Sequence, residues 1–207
     1  MFFVVVFQSL LLVSLCLFGG QFFVAAQQLP QSEVDALNEI VKTMGAANRS
    51  FNGSACGFKV TPVSDAESDP TAEITCNTLN NTPHITAIIF KRWSLSGVLP
   101  PQVVRLPQLQ QIDLAYNYLN GSIPVEWSSM KLKLISVFGN RLSGNIPSHL
   151  GNITSLTYLD LEANQFSGTV PAQLGKLVNL ETLRLSSNSL TGNLPMELSE
   201  LKILTDL

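Results

Sequence analysis

The sequence predicts an α/β-type solenoid. A parallel sheet would line its concave face, and short turns or 3-10 segments its back. A helical, disulfide-stapled cap would precede it. Three observations predict this: a fixed internal period through the second half of the chain, an amphipathic segment ahead of it, and one pair of cysteines before the join.

The period is counted from Asn117, Asn140, Asn164 and Asn188, which are spaced by 23, 24 and 24 residues. Three residues before each stand Leu114, Val137, Leu161 and Leu185, and five before stand Ile112, Ile135, Leu159 and Leu183. Four residues after each is a glycine (Gly121, Gly144, Gly168, Gly192), and seven after is a proline (Pro124, Pro147, Pro171, Pro195). Ile85, Ile88, Phe90, Leu95, Gly97, Leu99 and Pro100 form an earlier copy, with Trp93 in the asparagine position. Edge repeats are atypical because one side meets a cap.

The template has a direct physical reading. Apolar and variable residues alternate at the strand period of two, so one face of each short strand enters the core. A buried asparagine satisfies turn backbone with its amide donors and its carbonyl, and successive asparagines form a ladder. Glycine permits angles that a β-carbon hinders, and proline fixes φ where the chain turns to the back. No coil buries its own apolar face alone, so stability comes from neighbours.

The N-terminal elements follow in order. Residues 1–26 contain no charged side chain and end in small residues at Val24 and Ala26, which reads as a signal peptide cleaved before Gln27. Its length also fits an uncleaved anchor. Either way the remainder enters the secretory pathway and faces the cell surface or the extracellular space. Residues 27–84 read as the cap. "SEVDALNEIVKTMG" puts Val34, Leu37, Val41 and Met44 at helical spacing, with Ser32 and Asp35 resembling a capping box and Gly45 ending the helix. Cys16 lies in the leader, leaving Cys56 and Cys76 as one disulfide. "TPVSDAESDPTAE" reads as a polar loop. Residues 85–207 are the solenoid of about five repeats. Leu204 and Leu207 open a further repeat that stops in mid-strand, as in the N-terminal part of a longer protein or a truncated product. Sequons at Asn48, Asn52, Asn80, Asn120 and Asn152 predict N-glycosylation.

Chemistry is sparse. Charged residues make up 13% and the net charge is −3, which excludes a nucleic-acid binder needing a concentrated basic surface. No nucleophile elbow, phosphate-cradling loop or kinase signature occurs, so no enzyme activity, cofactor or metal is expected. His149, in "PSHLGN", reads as a solvated residue of the back-face turn. Asp160 and Glu162 read as solvated carboxylates on a binding face, in preference to a glycosidase pair.

The template also fixes the free strand face. Its columns are Ala87, Gln111, Leu134, Tyr158 and Thr182; then Ile89, Asp113, Ser136, Asp160 and Arg184; then Lys91, Ala115, Phe138, Glu162 and Ser186. Exposed aromatics beside charges on a rigid concave sheet suit recognition. The candidate binding patch is Lys91, Asp113, Tyr116, Phe138, Tyr158, Asp160, Glu162 and Arg184.

The "LSGxIP"-type wording resembles the plant-specific class of leucine-rich repeats. "LPQLQQIDLAYNYLNGSIPVEW", "ISVFGNRLSGNIPSHLGNITSLTYLDLEANQFSG" and "LRLSSNSLTGNLP" resemble the ectodomain of plant leucine-rich-repeat receptor-like kinases, most closely the subfamily with a malectin-like domain. The cap departs from the family pattern in having Phe51 where a tryptophan precedes the first cysteine. The concave face suits an extracellular protein, peptide or glycan ligand, and the resemblance adds a co-receptor leucine-rich-repeat protein as a further partner. A secreted binding protein, such as an inhibitor of a cell-wall-degrading enzyme, is the alternative.

Overall fold

The computed structural model describes residues 28–61 and 69–207. The expected signal peptide and most of the expected loop lie outside them. Among the described residues no helix is long and apolar enough to cross a membrane.

Helix α1 (Gln31–Thr43) is amphipathic as its spacing requires: Val34, Leu37 and Val41 are buried, and Met44 beyond its end is fully buried. Its start corrects the sequence reading. Pro30 is the N-cap and no side chain caps the helix, so Ser32 lies within the first turn and makes no capping box. Its end follows the expectation. Gly45 has φ of 91°, its N–H donates to Lys42 O, and Ala46 N–H donates to Val41 O, the paired bonds of a Schellman stop.

Strands β1 (Lys59–Val60), β2 (Thr71–Leu79) and β3 (Thr82–Lys91) form an antiparallel unit, turned at Asn80 and Asn81, which both have positive φ. Thr71–Glu73, read above as loop, is the start of β2. Cys56 and Cys76 are bonded. Closing a loop of this length stabilises the cap by about 3 kcal/mol on chain-entropy grounds.

From β3 the sheet becomes parallel through β4 (Gln111–Asp113), β6 (Leu134–Ser136), β8 (Tyr158–Asp160) and β10 (Thr182–Arg184). Each strand supplies one buried template residue, Ile112, Ile135, Leu159 or Leu183, all 0% exposed. Thr182 bridges Asp206 in the same sense, so the next coil continues the register, with Leu204 partly buried. The back is a run of 3-10 turns, Pro101–Arg105, Val125–Ser129, Ser148–Asn152, Ala172–Lys176 and Met196–Glu200. Each starts directly after a template proline.

A second parallel sheet was not foreseen. It contains β5 (Asn120–Gly121), β7 (Arg141–Asn145), β9 (Gln165–Gly168) and β11 (Ser189–Leu190). The recurring glycines lie in or next to these strands with φ of 79°, 83°, 74° and 76°, which is why a β-carbon is avoided there.

The asparagine ladder is present as expected. Asn140 donates to Val137 O and Phe138 O of its own coil and to Leu114 O of the preceding one, while its Oδ1 accepts Leu119 N–H. Asn164 and Asn188 repeat the pattern one coil on. Asn117 makes the same strap to the degenerate coil, accepting the N–H groups of Trp93 and Leu95. Trp93 fills the missing asparagine's place by stacking on Phe90, ring centroids 4.5 Å apart.

The residue before each ladder position is left-handed: Arg92 at 55°, Tyr116 at 57°, Gly139 at 65°, Ala163 at 54° and Ser187 at 56°. The surrounding strap holds this conformation, and glycine occurs once. A left-handed non-glycine residue costs about 1–2 kcal/mol, partly offset by the greater freedom of glycine in the unfolded chain. Ala163→Gly is therefore expected to stabilise the chain by about 0.5–1 kcal/mol, read as a higher midpoint in urea unfolding.

The cap is seated on the solenoid by polar contacts. Glu33 is 2% exposed; its carboxylate accepts Ile85 N–H at 2.9 Å and meets His84 Nδ1 at 2.5 Å. The N–H groups of Gly97 and Val98 donate to Met44 O and Thr43 O at the helix end. A β-carbon at Gly97 would lie 2.1 Å from Thr43 O, so this contact requires glycine.

Candidate concave recognition site

The parallel register builds the site. Gln111, Leu134, Tyr158 and Thr182 are in register, as are Asp113, Ser136, Asp160 and Arg184. These are the columns expected from the template. All eight candidate residues line one depression of about 470 Å³, together with Ala115, Leu134 and Ser136.

Its walls have distinct chemistry. Lys91 Nζ lies 2.8 Å from Asp113 Oδ2. Arg184 donates from two nitrogens to Asp206 Oδ2, at 2.6 and 2.9 Å. The Tyr116 ring meets Phe138 edge-on at 4.7 Å, and the Arg92 guanidinium lies 3.7 Å from the Tyr116 centroid. This cation–aromatic chain spans three successive coils, and sequence reading missed Arg92. Its left-handed backbone, which the sequence does not display, turns it toward Tyr116.

Two expectations need correction. Asp113, Ser136 and Asp160 are only 9%, 5% and 4% exposed, so these members of the central column are buried rather than solvated, while Arg184 in the same column stays exposed. Asp160 accepts Glu162 N–H and the Tyr158 hydroxyl, so it is structurally engaged as well as site-lining. His149 is also not simply solvated: its Nε2 is buried and has no hydrogen-bond partner.

Burial raises the Asp160 pKa above its ordinary 3.8, outweighing the Glu162 and Tyr158 hydrogen bonds and Arg184, which act the other way. Burial also raises Tyr158, with the Asp160 charge adding to it. A carboxyl raised on folding binds more protons in the native state between its unfolded and folded pKa. Stability is thus lost as pH rises through that window, beginning near 3.8. Asp160→Asn keeps an acceptor for Glu162 N–H and removes the titration. The variant is expected to gain stability relative to the parent as pH rises from about 4 to 7, measured by urea unfolding across that range.

This architecture is a leucine-rich-repeat solenoid. The Leucine Rich Repeat family profile matches residues 108–130, 131–153, 155–177 and 179–201, which are four of the coils described. The chain is homologous to leucine-rich-repeat receptor-like serine/threonine kinases of Arabidopsis thaliana. It is 42% identical over 158 residues to one probable member, covering 73% of this chain. It spans 15% of that relative's length. Among solved structures it is similar to the ectodomain of the receptor kinase SOBIR1 from the same plant (TM-score 0.67, 24% identity, 87% of this chain and 92% of that chain). It is also similar to a plant ice-binding protein (TM-score 0.68, 29%, 84% and 54%). A third similarity is to the plant peptide hormone receptor RGFR1 in complex with RGF2 (TM-score 0.59, 34%, 61% and 20%).

Proposed function

We propose that this chain is the N-terminal ectodomain part of a plant leucine-rich-repeat receptor-like kinase, in which the concave sheet recognises an extracellular peptide or protein. The observation that carries the reading is the convergence of the eight candidate residues on one depression of a rigid parallel sheet. The homology to receptor kinases and the likeness to a peptide-bound hormone receptor support it. A similarity to the complex of BIR3 with SERK2, at 26% identity and TM-score 0.61, supports a second leucine-rich-repeat ectodomain as a partner. The repeat wording favours the malectin-containing subfamily.

The reading includes glycosylation. Asn48, Asn52, Asn80, Asn120 and Asn152 are all exposed, and none lines the depression. Sugars there leave the concave face open.

The test is a binding screen of the secreted chain against extracellular plant peptides and leucine-rich-repeat ectodomains. Phe138→Ala and Tyr158→Ala are each expected to weaken a captured partner by roughly tenfold or more, the loss typical of a central aromatic contact. Unchanged affinity in both variants would overturn the site.

A further inference from the structure

We propose that the depression holds the guanidinium of an arginine side chain presented by the peptide or protein partner. This rests on the recognition reading above and specifies its chemistry. The charge pattern is the first observation. The two basic residues in the site's strands, Lys91 and Arg184, are already paired with Asp113 and Asp206. Among the described residues, Asp160 and Glu162 have no basic partner within ion-pair distance. The site therefore offers two carboxyl groups without an ion-pair partner, two residues apart, with Arg184 acting on Asp160 only from beyond ion-pair distance.

The second observation is a polar group with nothing to bond. Ser136 is 5% exposed and lines the depression, and its hydroxyl has no hydrogen-bond partner among the described residues. It is in register with Asp160 on the adjacent strand, where parallel neighbours lie about 4.8 Å apart. That hydroxyl opens onto the depression, where a ligand donor or a solvent molecule completes it. Ser136, Asp160 and Glu162 thus present acceptors on one side of the depression, and Phe138 and Tyr158 present ring surface beside them.

Guanidinium fits this set better than ammonium. It is planar, carries five N–H donors in a fixed fork, and is weakly hydrated. It can bond two carboxylates and a hydroxyl while its faces stack on aromatic rings. The chain already uses this geometry internally, with Arg92 on Tyr116 and Arg49 at 3.9 Å from the Trp93 centroid.

The experiment titrates the isotope-labelled full chain with acetyl-Gly-Arg-Gly-amide, followed by NMR of backbone amides. The control peptides carry citrulline, which keeps the shape and loses the charge, and lysine. The arginine peptide is expected to give saturable shifts at Phe138 and Glu162, and the citrulline peptide none. Glu162→Gln is expected to weaken the arginine peptide roughly fivefold to tenfold without changing the melting temperature, since the lost contact is one charge-assisted bond. Phe138→Ala is expected to weaken it by a similar factor. The proposal is overturned by equal binding of the citrulline peptide, by tighter binding of the lysine peptide, or by no saturable shift up to about 10 mM. A partner protein that loses affinity with Phe138→Ala yet keeps it with Glu162→Gln overturns the guanidinium site and leaves concave recognition standing.

Discussion

Replacing Asn140 by alanine is expected to destabilise the chain by about 3 kcal/mol, although the change removes only a few atoms. Each buried backbone group left without a partner costs about 1–3 kcal/mol. Asn140 is 8% exposed and serves Leu119 N–H and the carbonyls of Leu114, Val137 and Phe138. Some of these groups keep other partners, so the costs do not sum in full. The loss also severs a strap between two coils, and in a solenoid such neighbour contacts supply the stability. Asn188→Ala is the informative comparison. Its bonds follow the same pattern, but they are only part-buried or exposed, so water can replace them. Its cost is expected to be less than half that of Asn140→Ala in urea unfolding.

The second large effect is expected at Trp127, in the 3-10 turn Val125–Ser129. The side chain is 0% exposed, among the largest fully buried in the core. Its Nε1–H donates to Pro100 O of the preceding coil at 2.9 Å. Truncating a buried tryptophan to alanine costs about 3–5 kcal/mol, because the transfer energy is lost and a cavity remains. The freed Pro100 carbonyl adds to the penalty. Trp127→Phe keeps most of the volume and loses the hydrogen bond. It is expected to cost about 1–2 kcal/mol, measured by the same unfolding experiment, which separates filling from bonding.

The frame of this molecule was legible because it repeats. Ile135, Leu159 and Asn164 each occur in a column of equivalents, so their roles could be read by alignment of the chain with itself. The columns of the concave face followed from the same count, and their register is the observed one. Features without a repeating letter were not legible. The left-handed position before the ladder asparagine is occupied by arginine, tyrosine, glycine, alanine and serine, so no residue type betrays it. Pro30 took the helix cap from Ser32 because chain direction at the helix start is set by tertiary packing. The buried Glu33 was hidden among polar residues of an amphipathic helix, since its partners His84 and Ile85 N–H lie far along the chain. Burial of Asp113 and Asp160 was missed for a similar reason. Alternation assigns a face, but it does not say how deeply neighbouring coils cover it.

The central claim is that recognition occurs on the concave face, and the chain's three tyrosines make it directly testable. Tyr116 and Tyr158 line the depression, while Tyr118 lies outside it, 48% exposed and beside Arg141. Oxidative footprinting with a bound extracellular partner is expected to show protection of Tyr116 and Tyr158 with Tyr118 unchanged. Protection of Tyr118 with Tyr116 and Tyr158 unchanged would contradict the account.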